Sequence, residues 1–302
     1  MNIILVVSKA LGLEVLKSIS KALSTKITVI TCDDREDTGR TAYDEIHQYS
    51  NENNLEINVL NSSELNKYLI DKKPDLCLVC GWYWIIKPEP LESCRLGCLG
   101  IHNSLLPKYR GGAPLVWSII NGEKAVGSSL FFMTEGMDDG PLIHQWKIKI
   151  NDDQYMTEIL ENLNDSIKSD IGIIIQKYID GKIKPYSQNL KNMSYGSQRT
   201  YKDSLVDWNK TDTRLYNECR ALQEPYPNLF FDYKNETYEI KKFMLTDIKC
   251  FGKSGKLLVY LNEGMLISLG QDEKGIIISH LSKKGCDTNI IPDKPFPVGA
   301  LL

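Results

Sequence analysis

The chain opens on an apolar run, Asn2 to Val7, hydrophobic at every position after the first, as in a strand buried on both faces. Leu11 to Leu23 then places its apolar residues at helical spacing, and Lys26 to Thr31 is β-branched like a second strand. Asp33 to Arg40 reads as a charged loop, Tyr43 to Asn51 as a helix and Glu56 to Leu60 as a short strand. A helix capped by Ser62 or Ser63 runs to about Asp71, Pro74 punctuates, and Leu76 to Trp82 is a fourth strand. Lys87 to Glu92 is a short helical piece and Cys98 to His102 a fifth strand. A helix over Leu115 to Asn121 ends at Gly122, and strands over Val126 to Met133 and Leu142 to Ile150 follow. Repeated βα units with short connections predict an α/β domain. It is Rossmann-like, with a mostly parallel sheet and helices on both faces.

From Tyr155 to Tyr178 the apolar positions Met156, Ile159, Leu163, Ile167, Ile171 and Ile174 keep a period near 3.6, predicting one long amphipathic helix. Asp152 and Asp153 favour its start, and Gly181 ends it. Lys182 to Asp203 is polar and proline-bearing, the texture of a linker. Asp212 caps a further helix over Thr213 to Leu222. Beyond Leu229 the pattern changes to short strands with turn signals, over Tyr238 to Met244, Leu257 to Leu261, Met265 to Leu269 and Gly275 to His280. Such spacing predicts a smaller C-terminal OB-like β-barrel. The expected organisation is a domain over 1–182, a linker over 183–212 and a C-terminal domain over 213–302.

Composition narrows the function classes. The chain has 302 residues, is 42% hydrophobic and 25% charged, and has a formal net charge of −3, too little to mark a nucleic-acid binder. No apolar run approaches the roughly 18 residues that cross a bilayer. The N-terminus lacks the basic region and cleavage site of a secretory signal, so a cytoplasmic protein is expected. Cys77 and Cys80 have C-x-x-C spacing, but they lie inside an apolar run and read as buried thiols; no metal site is expected. No glycine fingerprint follows the first strand, where the chain reads Val6-Val7-Ser8-Lys9-Ala10. Phe251-Gly252-Lys253-Ser254 resembles the end of a phosphate loop, but Asp247 stands where its first glycine belongs. Neither NAD nor ATP is indicated.

The candidate chemistry lies in Gly97 to Trp117, GCLGIHNSLLPKYRGGAPLVW. His102, one of four histidines, closes a buried strand just before a proline- and glycine-bearing loop. In open α/β sheets ligands bind at that edge. A second constellation, Thr134-Glu135-Gly136-Met137-Asp138-Asp139-Gly140, follows the sixth strand and is read as lying at the same edge, on a parallel strand. A carboxylate there can hold the imidazole in one tautomer and stabilise its protonated form.

These two stretches resemble the folate-dependent formyltransferases. His102 falls on the family histidine, Ser104-Leu105-Leu106-Pro107 on the family loop and Asp138 on the family aspartate. Downstream, Arg199-Thr200, Asp207-Trp208 and Arg220-Ala221-Leu222 resemble the entry to the C-terminal domain of methionyl-tRNA formyltransferases. Gly81-Trp82-Tyr83-Trp84, with Gly100 two residues before His102, is most similar to the sugar N-formyltransferase branch. The resemblance implies formyl transfer from N10-formyltetrahydrofolate to an amine, with His102 as general base supported by Asp138 and without a metal. It implies folate contacts from Gly81, Trp82, Tyr83, Ile86, Leu105, Thr134, Gly136, Asp138 and Asp139. Ser104, Lys108, Arg110 and Gly111 are the implied acceptor contacts.

The chain departs from the family at Gly100, where the family has an asparagine held to stabilise the oxyanion. Asn103 is the nearest replacement, although alternation along a strand turns it away from His102. An accessible backbone N–H at Gly100, or protonated His102, could also serve. The mild acidity, and the mixed signs of CDDREDTGRT over Cys32 to Thr41, favour a nucleotide-linked amino sugar over tRNA as acceptor. Such a product would belong to surface-polysaccharide synthesis, and a homodimer is compatible. The alternatives are a methionyl-tRNA formyltransferase, and a non-catalytic folate binder or a formyltetrahydrofolate hydrolase.

Overall fold

A computed structural model describes residues 1–36, 41–270 and 273–302. Residues 37–40 of the predicted charged loop lie outside the described residues. The chain divides into two compact units. The first comprises Met1–Pro114, Ala125–Lys149 and Leu160–Ser197; the second comprises Leu115–Lys124, Ile150–Ile159 and Gln198–Leu302.

The elements run β1 (Asn2–Val7), α1 (Lys9–Ala22), β2 (Lys26–Thr31), α2 (Tyr43–Glu52), β3 (Glu56–Val59), α3 (Ser62–Lys72) and β4 (Leu76–Cys80). They continue with α4 (Pro88–Glu92), β5 (Cys98–His102), β6 (Arg110–Gly111), α5 (Pro114–Ile120), β7 (Ala125–Phe132), β8 (Leu142–Lys149), α6 (Met156–Ile179) and β9 (Tyr195–Gly196). The first unit carries a seven-stranded sheet of order β3-β2-β1-β4-β5-β7-β8. The five strands β3 to β5 in that order are parallel. Chain order reverses direction between β1 and β4. Right-handed crossovers therefore set α1 and α2 on one face and α3 on the other. β1 and β4 are buried from end to end after Asn2, which explains their unbroken apolar runs.

Several boundaries differ from the sequence reading for local reasons. The fourth strand stops at Cys80, because Gly81 turns the chain at φ +82. Asn61, not Ser62 or Ser63, caps α3: its side chain accepts from the Glu64 amide while Glu64 reaches back, closing a capping box. The Cys77–Cys80 pair is buried with free thiols, and burial pushes the Cys80 thiol up to about 12.

The larger correction concerns the last two strands. β7 is antiparallel to β5, with His102 opposite Ser129 and Leu99 opposite Phe132, and β8 is antiparallel to β7. The loop 133–141 is therefore a hairpin connection and not a parallel-strand exit. It leaves from the start of β5, where the Met133 amide donates to the Cys98 carbonyl. It then folds back along β5 to bring Asp138 to His102.

The stretch after α6, read as a linker, is bound into the first unit as far as Ser197. Tyr186 exchanges both backbone hydrogen bonds with Leu142. Tyr195 and Gly196 of β9 then pair in parallel with Arg110 and Gly111 of β6. This strap grips the site from two sides.

The second unit holds α7 (Asp212–Ala221) and a five-stranded antiparallel sheet. Its strands are β10 (Leu229–Tyr233), β11 (Glu236–Leu245), β12 (Lys256–Tyr260), β13 (Met265–Ser268) and β14 (Gly275–Lys283), in the order β10-β11-β14-β13-β12. Trp208, Phe231, Phe243 and Phe296 pack together in its core. Thr211, rather than Asp212, caps α7.

Candidate active site

His102 ends β5 with its side chain 11% exposed. Its Nε2 lies 2.9 Å from the Tyr109 carbonyl oxygen. A carbonyl can only accept, so Nε2 carries the hydrogen and Nδ1 is the basic atom of the neutral ring. Nδ1 faces the Asp138 carboxylate at 3.6 Å, too far for a hydrogen bond but close enough for a strong charge interaction. This corrects the expected division of labour. The Tyr109 carbonyl sets the tautomer, and Asp138 stands where a proton arriving on Nδ1 places positive charge.

Asp138 is held from both ends. Its Oδ2 accepts from the Gly111 amide at 2.8 Å, and its backbone carbonyl accepts from the Gln188 side chain at 2.8 Å. Tyr109, Asp138 and Ala113 all have positive φ, at 55°, 50° and 47°. Left-handed backbone at non-glycine residues is costly, and it gathers here around one imidazole.

Gly111 is glycine for a spatial reason. At φ +92, a Cβ there would lie 2.8 Å from the Gly196 carbonyl oxygen of the strap. Gly100 is covered: a Cβ there would meet Met133 Cγ and Phe131 Cε1, each at 3.0 Å. The space for a side chain at that position is tight, and Gly100 is paired with Val79 of β4 and Phe131 of β7, so its backbone belongs to the sheet ladder and is not an open donor. Asn103 is anchored through its acceptor end. Its Oδ1 accepts from Ser128, its cross-strand neighbour on β7, at 2.6 Å, and its side-chain N–H, the end an oxyanion would need, is not used by that bond.

The remaining predicted residues fall into two groups. Gly81, Tyr83, Thr134, Gly136 and Asp139 are exposed, and Trp82 is half-buried against the sheet core. Trp82 Nε1 is a buried donor with no hydrogen-bond partner. Tyr83 is covered on one side by Lys9, 4.9 Å above its ring. Asp139 turns into its own loop and accepts from Thr134, so Asp138 is the carboxylate that faces His102.

Others are structural in this conformation. Ile86 is buried in the core cluster, and Leu105 lies over Gly127 on β7. Ser104 is buried and donates to the Lys108 carbonyl at 2.6 Å, closing the loop. Arg110 is only 4% exposed and donates to Gln188 at 2.7 Å, so its guanidinium is not presented to a ligand. Sequence reasoning missed Tyr109, Gln188 and Ser194. Tyr109 acts through a carbonyl, and the other two lie in a strap with no hydrophobic period to reveal it.

Among the described residues no cluster of His, Cys, Asp or Glu could hold a metal ion, and no helix is long and apolar enough to cross a membrane.

The comparisons agree with this architecture. The family model for formyl transferase matches residues 1–171, and that for the formyl transferase C-terminal domain matches residues 199–291. Methionyl-tRNA formyltransferase of Clostridium novyi (strain NT) is 28% identical over 243 residues, 79% of this chain and 77% of that protein. The crystal structure of WlaRD, a sugar 3N-formyl transferase, superposes with a TM-score of 0.68 at 22% identity, covering 95% of this chain and 98% of that one. The N-formyltransferase from Helicobacter canadensis, solved with folinic acid and dTDP-3-aminofucose, gives 0.68 at 22% identity, covering 93% and 98%.

Proposed function

The chain belongs to the formyl transferase family, and from that premise we propose that it formylates the amine of a nucleotide-linked amino sugar, using N10-formyltetrahydrofolate as donor. The observation that carries the choice of acceptor is the charge on the second unit. Its sixteen Lys and Arg are outnumbered by eighteen Asp and Glu, and several of the cations pair with neighbouring carboxylates. Lys210 and Arg214 pair with Glu218, Lys241 with Glu239, Lys249 with Glu273, Lys274 with Asp212 and Lys283 with Glu236. An RNA acceptor is held by cations that neutralise phosphates, and affinity rises with each one. A net charge of −3 points the same way. The full-length likeness to two sugar-acting enzymes supports this reading.

The residues present fit a folate. The segment after β4 offers exposed Tyr83 and Trp84 as flat apolar surface, together with the unpartnered indole N–H of Trp82. The donor supplies an activated formyl carbon. The chain's part is to orient the amine and move one proton. Nδ1 of His102 takes the proton from the attacking amine, and Asp138 stabilises the imidazolium across 3.6 Å. The same proton returns to the departing nitrogen of the donor as its bond to the formyl carbon breaks. Two donors remain to meet negative charge on the formyl oxygen: the protonated Nδ1–H of His102, and the Asn103 side-chain N–H, whose amide oxygen is anchored on Ser128.

The test is turnover with the folate donor against sugar nucleotides carrying the amine at different ring positions, with methionyl-tRNA in parallel. A sugar nucleotide that gains one formyl group is the expected product. Formylation of methionyl-tRNA alone would overturn the choice of acceptor. Donor loss without any acceptor would identify a hydrolase.

A further inference from the structure

Gln188 lies in the strap between α6 and β9, far in sequence from both catalytic stretches, yet it is 9% exposed and uses both ends of its amide inside the site. Its Nε2 donates to the carbonyls of Asp138 and Gly140, each at 2.8 Å. Its Oε1 accepts from Arg110 Nη2 at 2.7 Å. We infer that Gln188 is a positioning residue for formyl transfer, fixing the left-handed Asp138 backbone so that its carboxylate faces His102. This rests on the roles proposed above for His102 and Asp138.

The geometry forms a closed circuit. Arg110 is anchored to the strap through its backbone, where its amide donates to the Ser194 carbonyl, and through its side chain at Gln188. The next residue, Gly111, donates its amide to the Asp138 carboxylate. Gln188 thus grips the backbone of Asp138 while the partner of Gln188 leads directly to the group that grips its side chain. The Arg110 Nη1 meets only the Met193 sulfur, at 3.4 Å, and its Nε has no hydrogen-bond partner. A buried guanidinium is expensive unless its partners are well placed, so it locks the Gln188 amide with oxygen toward itself and nitrogen toward the loop. That orientation supplies two donors to a hairpin loop whose Asp138 sits at φ +50.

A purely structural role would be to satisfy two loop carbonyls. Gln188→Glu separates the possibilities. The carboxylate keeps its contact with Arg110 and turns it into an ion pair, but it offers no donor to Asp138 or Gly140. Gln188→Met keeps the length and removes both contacts. For folded protein we expect kcat to fall between about tenfold and a hundredfold in both variants, the range for a misplaced catalytic group, with KM for the donor within twofold. Amide exchange at Gly111, protected by Asp138 Oδ2, should accelerate in both.

Folded variants that keep kcat within threefold and leave Gly111 exchange unchanged would overturn the inference. So would variants that lose only stability, with kcat of the folded fraction intact. If the unsubstituted protein formylates no acceptor, the functional reading fails, while Gly111 exchange still decides whether Gln188 positions Asp138.

Discussion

Asp138→Asn isolates the charge at the site from its shape. The amide keeps an oxygen that can accept from the Gly111 N–H, so the loop keeps its anchor. The charge facing His102 Nδ1 at 3.6 Å is removed. Two unit charges at that range interact by about 4 kcal/mol at an effective dielectric near 20. Asp138 is 23% exposed on its side chain, so solvent screening lowers this. About 3 kcal/mol of imidazolium stabilisation is a fair expectation, which is a hundredfold or somewhat more in rate. The assay is steady-state formyl transfer at saturating donor and acceptor, with thermal unfolding run on the same preparation. The kcat should fall by about two orders of magnitude and stability should change by less than about 1 kcal/mol, since the Gly111 bond survives in weaker form. A variant that keeps more than a tenth of the activity would refute the assignment of Asp138 as the charge partner of His102.

Other outcomes follow from the same geometry. Gly111→Ala combines a left-handed backbone with a contact on the Gly196 carbonyl, and should lower stability by about 2–4 kcal/mol in chemical denaturation. Gly100→Asn should not restore a missing catalytic amide, because Met133 and Phe131 fill the space; unfolding would show a loss of stability and kinetics no gain in kcat. Arg110→Met should reduce the melting temperature while leaving KM for the acceptor within about twofold, since its guanidinium is buried on Gln188; a large rise in KM alone would mean it meets the substrate.

Asp75 provides a pH test. The Asn2 amide, aided by Arg95, holds its carboxyl below the usual range. A depressed folded value contributes stability that is present above the ordinary carboxylate pKa of about 3.9 and is lost as pH falls through the folded value. The stability gap between the protein and Asp75→Asn should therefore be constant near neutrality and close in acid, as read by urea midpoints across pH.

Much of this molecule is legible in its residues. The buried runs of β1 after Asn2 and of β4 have no polar position to spoil them, so their place at the centre of a parallel sheet follows directly. His102 and Asp138 stood out because titratable groups beside glycines at strand ends are where ligands bind. Their order in the sequence carried no direction, however. Nothing in Val126 to Met133 distinguishes an antiparallel strand from a parallel one, since both are apolar when buried. The strap was illegible for a related reason. β6 and β9 are two residues each, too short for any period, and their partners are chosen by backbone groups. Tyr109 contributes a carbonyl oxygen, which every residue has. Only its positive φ singles it out, and that is a property of the fold.

In the proposed reaction His102 passes a proton while a formyl group moves to an amine on a sugar nucleotide. The most direct measurement uses a donor labelled with carbon-13 at the formyl carbon, mixed with the protein and an amino-sugar nucleotide, and follows the label by NMR. The label should appear as a formamide on the sugar, and His102→Ala should abolish this signal while remaining folded. Label appearing as free formate, or transferred equally well by His102→Ala, would contradict this reaction.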